Sequence, residues 1–259
     1  MKRVAGTTAL ALAVVLAQSA LAPRRARATD ILSEAGDDER PDHYQSPQAF
    51  AFELKFGPYR PDVDSEFNGK RTPYKDYFGN GRHLMSQVEL DWQILRRFGS
   101  IAIGVGIGYF DVTGTAPLGN GSGVPSGDQS TLKVIPFSLS GVYRFDYFLQ
   151  TRGFPVVPFG KLGLDYAYWS VADGNGEIAT DGMGGTGRGG TRGWHAAAGA
   201  ALVLDIFDPE AARDFDADLG VNHTALTFEF SHADLSGLGR AGQLHVGDTS
   251  WSLGVLMEF

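Results

Sequence analysis

The sequence predicts an all-β fold, an eight-stranded antiparallel up-and-down transmembrane β-barrel with one short periplasmic helix. Three observations predict it. Eight segments alternate with a period of two, the connections between them alternate between long and short, and aromatic residues gather at the segment ends. The composition agrees, because 35 glycines without a collagen period indicate turns and close backbone packing. A mean hydropathy of -0.12 is too low for a helical membrane protein.

Residues 1–28 have the features of a secretory signal peptide. Lys2 and Arg3 precede an apolar stretch, and Ala26-Arg27-Ala28 places small residues at the positions that a signal peptidase recognises. A cut after Ala22 is an alternative, and a permanent membrane anchor is the alternative to cleavage. The N-terminal part is therefore expected to direct the chain out of the cytoplasm.

The remainder divides into an arm and a barrel. Residues 29–47 are polar and acidic, which predicts a flexible arm, with a short plug inside the barrel as the alternative. The barrel is predicted at residues 48–259. Its strands are predicted at residues 48–57, 83–95, 100–112, 131–145, 157–169, 194–204, 224–232 and 249–259. Each is close to, or slightly above, the ~9–11 residues with which a tilted strand crosses a bilayer.

Each strand has one apolar face. In the first four strands this face carries, in order, Phe50, Phe52, Leu54 and Phe56; Leu84, Val88, Leu90, Trp92 and Ile94; Ile101, Ile103, Val105, Ile107 and Tyr109; and Ile135, Phe137, Leu139, Tyr143 and Phe145. In the fifth, seventh and eighth it carries Leu162, Leu164, Tyr166 and Tyr168; Leu226, Phe228 and Phe230; and Trp251, Leu253, Val255, Met257 and Phe259. The sixth strand is rich in alanine and has the weakest pattern.

The opposite face decides which side faces outward. On the third strand it carries Gly104, Gly106 and Gly108, which would leave the backbone of a soluble barrel uncovered but would fit a narrow lumen. The apolar face is therefore expected to contact lipid, and a soluble lipocalin-like barrel is the alternative. The lumen would then hold a salt-bridged network that plugs it, formed by Glu53, Lys55, Glu89, Asp91, Arg144, Lys161, Asp165, Glu229 and Glu258.

The connections and the aromatic residues give the orientation. Links after the odd-numbered strands are long, polar and rich in Gly and Asp, as expected for external loops. One periplasmic link contains Asp208-Pro209, an N-cap followed by proline, which predicts a helix over residues 208–218. The predicted external aromatic girdle contains Tyr109, Tyr166, Tyr168, Trp194 and Trp251. The predicted periplasmic girdle contains Phe50, Trp92, Tyr143, Phe145 and Phe259.

Residues 250–259 resemble the terminal strand of bacterial outer-membrane barrels, which ends in an aromatic residue, here Phe259. The resemblance implies recognition by the barrel-assembly machinery. Residues 48–259 resemble the small porin-type and adhesion-type barrel families, and residues 208–224 are similar to an uncharacterised family common in myxobacteria. These resemblances imply a monomer in the outer membrane of a Gram-negative bacterium, in contact with outer-membrane lipid and lipopolysaccharide.

Few motifs in the sequence indicate catalysis or ligand binding. The Gly-rich residues 182–193 lack the Gly-Lys-Ser/Thr ending of a phosphate loop, so a mobile external loop is predicted. With no cysteine and with scattered histidines, no metal site and no cofactor are expected. Weak calcium binding by Asp173, Asn175, Glu177 and Asp181 is the minor alternative to solvated loop charges. The net charge of -8 argues against nucleic acid.

Three functions are compatible with this sequence. The first is a non-enzymatic structural, adhesive or loop-display protein, and the second is a narrow porin-like channel for small solutes. The third follows from a resemblance to lipid A deacylases, which use a His-x-Ser pair on the lipid-facing surface. Here His232 and Ser236 would be the catalytic pair, although the spacing His-x-Asp-x-Ser departs from that motif.

Overall fold

The computed structural model of the protein describes residues 49–96, 98–117, 125–180, 185–240 and 242–259. Eight strands form a closed barrel in sequence order, each antiparallel to its neighbours, and the first strand pairs with the last. The predicted fold class is confirmed. The predicted signal peptide, residues 1–28, and the predicted arm, residues 29–47, lie outside the described residues.

Six of the eight strands are longer than their predicted counterparts, mostly at the external end, whereas β1 and β8 have the predicted length. They are β1 (Phe50–Tyr59), β2 (His83–Arg96), β3 (Ser100–Pro117), β4 (Pro125–Arg144), β5 (Val156–Ala172), β6 (Arg188–Val203), β7 (His223–Asp234) and β8 (Asp248–Glu258). With 20 residues, β4 has about twice the length needed to cross a bilayer. Parts of the predicted external loops are therefore strand, because backbone pairing continues through polar residues such as Thr113 and Thr131.

The Gly-rich segment shows the same effect. Much of the predicted mobile loop belongs to β6, where Gly189 and Gly190 pair with Trp169 and Tyr168. Residues 181–184 lie outside the described part of the chain. Strand pairing with β5 fixes Gly189 and Gly190 in the barrel wall, which the composition of this segment alone does not indicate.

Short helices lie in the connections. The predicted periplasmic helix is present as α3 (Pro209–Leu219), and the Asp208 side chain caps it by accepting from the Ala211 amide at 3.1 Å. A 3-10 helix (Val63–Phe67) and α1 (Pro73–Phe78) lie between β1 and β2, and α2 (Tyr147–Arg152) lies between β4 and β5. These three were not predicted. Within the described residues, no helix has the length and apolar character needed to cross a membrane.

The outer wall is apolar and exposed. Leu90, Ile103, Leu164 and Phe228 all point away from the lumen and leave 44–62% of their surface uncovered. A broad apolar band on the outer wall is stable only against hydrocarbon, because in water it would form an aggregation-prone patch. The lipocalin-like alternative, which needs the apolar face inside, is therefore wrong.

The lumen is filled in three layers, which β1 passes in order. Near the periplasmic end Ala51 belongs to an apolar layer, completed by Val157, Phe159, Ala201, Val203, Ala225 and Leu256. Glu53 and Lys55 follow at mid-height and are buried. Tyr59 then belongs to a second apolar layer beneath the external connections. The middle of the interior is therefore charged, and the periplasmic apolar layer is interspersed with buried polar residues such as Asp91 and Arg144.

Candidate functional site

Five charged side chains meet in the middle of the lumen and are here called the ionic cluster. Lys55 Nζ lies 2.9 Å from Glu89 Oε2 and 3.1 Å from Glu229 Oε1. Lys161 Nζ lies 2.8 Å from Glu53 Oε2, 2.9 Å from Glu89 Oε2 and 3.0 Å from Glu229 Oε2. None is more than 6% exposed. Each ammonium group contacts at least two carboxylates, so the two lysines offset most of the charge of three glutamates that are shielded from bulk water.

Two further pairs lie on the periplasmic side of the ionic cluster. The Arg144 guanidinium donates to the Asp91 carboxylate, and both residues are buried. The Gln93 amide donates to Glu258 Oε1 at 3.3 Å. Arg144 and Asp91 are thus brought together as a buried pair, whereas Glu258 lies near the strand end and bonds to a neutral side chain.

The ninth of the predicted lumen charges, Asp165, belongs to a hydrogen-bonded chain across three strands. Its Oδ1 lies 2.8 Å from His195 Nδ1, and His195 Nε2 lies 3.1 Å from Ser140 Oγ. The imidazole occupies space left by Gly163, where an added Cβ would lie 2.5 Å from His195 Cε1. Sequence analysis missed His195 and Ser140 as partners, although the alternation along β6 places His195 on the inward face.

A small cavity separates the ionic cluster from the external apolar layer. Its volume is about 120 Å³, and its lining includes Lys55, Lys161 and His195 on one side and Tyr59 and Val246 on the other. A space of this volume holds several ordered waters beside the two lysine ammonium groups.

The external apolar layer, here called the mouth cluster, includes residues of two connections as well as strands. Val63 and Tyr74 from the first external connection and Val246 from the last pack with Phe110 and Tyr59, all buried. Tyr59 meets Phe110 edge to face with ring centroids 4.7 Å apart, and its hydroxyl donates to the Val246 carbonyl at 2.5 Å. The external connections thus fold back over the barrel mouth.

The external connections that fold over the barrel mouth, here called the cover, are held in place by charged side chains. Asp64 accepts from the Tyr74 amide at 2.8 Å and pairs with Arg60 at 3.1 Å. Arg82 pairs with Asp248 at 2.6 Å and joins the first connection to the start of β8. Burial raises the pKa of Tyr74 to about 12, so its phenol is neutral at physiological pH.

The proposed deacylase pair lies at the outer rim. His232 and Ser236 line one external pocket of about 510 Å³, together with Arg60 and Arg82. His232 Nδ1 lies 2.7 Å from the Thr249 hydroxyl. Among the described residues, no hydrogen bond joins His232 to Ser236. The arrangement therefore lacks the direct nucleophile–base contact that would activate a serine.

The predicted girdle residues occupy both ends of the outer wall. Exposed aromatic side chains near the external end are Tyr109, Tyr166, Tyr168, Trp194 and Trp251, and those near the periplasmic end include Phe50, Trp92 and Tyr143. Phe145 follows the end of β4 and packs edge to face against Phe148 of α2, 5.3 Å between centroids. Phe259 lies beyond β8, where its amide and carbonyl bond to the backbone of Phe50.

The described residues contain no group of three or more His, Cys, Asp or Glu side chains that could hold a metal ion. Asp173, from the calcium alternative, accepts instead from the amides of Asn175 and Glu177, at 2.9 and 3.0 Å. Its carboxylate therefore stabilises a turn. Asp181 lies outside the described residues.

A closed antiparallel sheet of eight strands with an exposed apolar wall and aromatic ends defines an outer-membrane β-barrel protein. No protein-family model and no curated protein matches the chain. The myxobacterial resemblance therefore stays a prediction.

Solved structures of small barrels are similar to this chain at low identity. Neisserial surface protein A is 14% identical, with 83% of this chain and 98% of that chain covered and a TM-score of 0.43. A major outer membrane protein from Thermus thermophilus is 13% identical, with 83% and 100% covered and a TM-score of 0.43. The outer membrane protein OprG from Pseudomonas aeruginosa is 13% identical, with 83% and 98% covered and a TM-score of 0.41.

Proposed function

We propose that the protein is a closed, non-enzymatic outer-membrane barrel that acts through its external surface, in a structural, adhesive or display role. The observation that carries this proposal is the filling of the lumen by three successive layers. A solute that entered from outside would have to displace the mouth cluster, then the ionic cluster, then the periplasmic apolar layer.

The ionic cluster is the strongest barrier to conduction. Lys161 contacts three carboxylates within 3.0 Å, so widening this level separates buried opposite charges. Separated charges in a poorly hydrated interior lose their mutual attraction without regaining full hydration, which is costly. Thermal motion alone therefore opens this layer rarely, and the interior serves as a core that stabilises the wall.

The long external hairpins are the part of the protein that could serve a display role. Strands β3 and β4 run beyond the length needed to cross the membrane, and the hydroxyls of Thr113 and Thr131 meet across this hairpin at 2.9 Å. Long hairpins held by strand pairing present polar side chains in fixed positions, which suits recognition at a cell surface.

Conductance in planar bilayers tests the closed lumen. Purified full chain should insert without producing stable conductance steps, and liposomes containing it should not swell in small sugars. A double variant that removes a residue from each of two layers, Tyr74→Ala with Lys161→Ala, should give more frequent openings if it remains folded by heat-modifiable gel mobility. Large, stable, ohmic steps from the unaltered protein would instead support the narrow porin-like channel.

A deacylase-like activity is the second candidate, because His232 and Ser236 line one external pocket. Mass spectrometry of lipid A from cells that express the protein or its His232→Ala variant tests it. The main proposal expects identical acylation in both. Loss of one acyl chain that depends on His232 would support the enzyme.

A further inference from the structure

Three basic side chains lie on the outer wall near its external end, and they are here called the basic rim. Lys133 belongs to β4, and Arg188 and Arg192 belong to β6; all three are exposed. Lys133 lies between Leu132 and Val134, which point into the lumen and are fully buried. Since neighbours along a strand alternate faces, Lys133 points outward.

The same alternation places the two arginines outward. Arg192 lies between Thr191 and Gly193, both of which are buried on the inner face. Arg188 is four residues earlier on β6 and has the same parity. Basic side chains on the outside of a transmembrane barrel are costly at mid-membrane and tolerated at the interface, where they reach anionic headgroups.

Strand register brings the basic rim together. Ser170 of β5 pairs with Lys133 on one side and with Arg188 on the other. Adjacent strands lie about 4.8 Å apart, so the backbones of Lys133 and Arg188 are about 10 Å apart. Arg192 pairs with Tyr166 on the same side of β6. The three cations therefore flank one strand. The long side chains of Lys133 and Arg188 can close the gap between them, and Arg192 lies about 13 Å further along β6.

Tyrosines mark the level of the basic rim in the membrane. The ring of Tyr166 lies over Gly190, where an added Cβ would meet its phenol carbon Cε2 at 2.8 Å. Gly190 lies between Arg188 and Arg192 along β6, so the phenol lies between the two arginines. Exposed tyrosines of this kind occupy the boundary between hydrocarbon and headgroups, which is where phosphates lie.

An apolar crevice adjoins the basic rim. It has a volume of about 340 Å³ and is lined by Arg192 together with Phe137, Leu139, Leu164 and Leu238. Leu238 comes from the last external connection, has a positive φ of 53° and leaves 59% of its surface exposed. A connection that holds an exposed leucine beside the outer wall widens the apolar surface next to a cation.

The charge of the basic rim lacks internal compensation. The side chains of Lys133, Arg188 and Arg192 make no hydrogen bond or ion pair within the part of the chain that the structure describes. One acidic residue, Asp111, is directly opposite Lys133 across β3 and β4. Asp165 also lines the crevice beside Arg192, but its carboxylate bonds to His195 at 2.8 Å. In a chain of net charge -8, three outward cations with so few acidic neighbours form a local exception.

We propose that the basic rim binds the phosphates of lipid A in the outer leaflet, with an acyl chain in the adjoining crevice. Lipid A combines phosphate groups with several acyl chains, which matches cations beside an apolar crevice at the external interface. Guanidinium groups bind phosphate oxygens in a two-pronged geometry that an ammonium group lacks. The inference rests on membrane location and is independent of whether the lumen conducts.

Nanodiscs of phosphatidylcholine doped with lipid A provide the test. The triple variant Lys133→Gln, Arg188→Gln, Arg192→Gln should bind lipid A about tenfold more weakly than the unaltered protein, since each basic side chain near an anionic surface contributes measurably. A matched control, Lys70→Gln, Arg71→Gln, Lys75→Gln, removes the same charge from the exposed first connection. Its affinity should stay within about twofold. Native mass spectrometry of the released barrels counts the bound lipid.

Two further arms distinguish the source of the phosphate. Lipid A without its phosphates and phosphatidylglycerol at equal charge should both bind the unaltered protein at least about fivefold more weakly than lipid A. If the triple variant fails to fold, the single Arg192→Lys variant, which keeps the charge, should still lose affinity while its folded gel mobility is unchanged. Equal binding of phosphate-free lipid A, equal binding of phosphatidylglycerol, or an equal loss in the control variant would overturn the proposal.

Discussion

The middle and the mouth of the lumen are both closed, but with opposite chemistry. In the middle, Lys55 and Lys161 meet three glutamates that all come from strands. At the mouth, apolar side chains such as Val63 and Tyr74 come from a connection and pack against strand residues. One closure is built into the wall, whereas the other depends on how an external connection folds.

This difference means that substitutions at different heights along the barrel axis should affect stability by different amounts. A buried ion pair contributes little more than an apolar replacement would, but losing one partner costs much because a charge remains uncompensated. An apolar cluster loses free energy in proportion to the volume removed. Substitutions in the middle should therefore have larger effects than substitutions of similar size at the mouth.

Lys161→Ala should have the largest effect. It leaves Glu53, Glu89 and Glu229 with one lysine between them, and we expect a loss of about 4 kcal/mol of unfolding free energy. Urea unfolding in phospholipid vesicles, followed by gel mobility, measures it. The control Lys75→Ala removes an exposed lysine and should change stability by less than about 0.5 kcal/mol. If the two variants lost the same unfolding free energy, Lys161 in the middle of the lumen would contribute no more to stability than a lysine on the surface.

Phe110→Ala comes next, because it empties the centre of the mouth cluster, where Phe110 is fully buried. We expect a loss of about 3 kcal/mol, and faster hydrogen exchange in Val63–Phe67. Phe207→Ala, at a position 68% exposed, is the control. An unchanged exchange rate over the 3-10 helix would show that the mouth cluster does not hold the cover in place.

Gly163→Ala sharpens the comparison by adding one methyl group to the middle. The new Cβ would lie 2.5 Å from His195 Cε1 and press on the wall backbone, so we expect a loss of about 2 kcal/mol. Gly174→Ala is the matched control, since its nearest contacts would lie at an ordinary 3.5 Å. If the two variants lose the same stability, the His195 imidazole moves aside freely and the hydrogen-bonded row from Asp165 to Ser140 is not tightly packed.

Tyr74→Phe should have the smallest effect near neutral pH. The Tyr74 hydroxyl is buried without a hydrogen-bond partner in the described residues, so its removal should raise stability by about 1 kcal/mol. Burial raises the folded-state pKa to about 12, so the stability due to the neutral phenol is present below pH 10. It is lost as pH rises from 10 through about 12.

Denaturant titrations across that pH range check this prediction. The unaltered protein should lose stability above pH 10 more steeply than the Tyr74→Phe variant does. Parallel curves for the two proteins would mean that Tyr74 ionises as freely in the folded state as in the unfolded chain, and that the mouth is open to water.

Much of the wall was predictable because alternation along a strand depends only on neighbouring residues. Phe52, Glu53, Leu54 and Lys55 show which side each residue takes, and the closed sheet requires no further information. The helix after Asp208 was predictable for the same reason, since a cap and a proline act locally. The identity of ionic partners was not, because it depends on the register of strands far apart in the chain.

The cover over the barrel mouth also could not be predicted from the sequence. Pro73–Phe78 is a helix of six residues in a polar, Gly-rich connection, too short to show a helical period. Tyr74 is buried through contacts with strand residues that the chain reaches much later. The extra length of β6 was missed because its Gly-rich start is stabilised by pairing with β5 rather than by its own side chains.

Thiol labelling measures whether a small solute reaches the lumen from outside, and the absence of cysteine from the sequence makes it specific. Ser252 is buried and lines the internal cavity, whereas Ser65 is exposed on the first external connection. With a membrane-impermeant maleimide added outside proteoliposomes, Ser65→Cys should be labelled quickly and Ser252→Cys should stay unlabelled until the barrel is unfolded. Labelling of both cysteines at the same rate in the folded barrel would contradict the closed lumen.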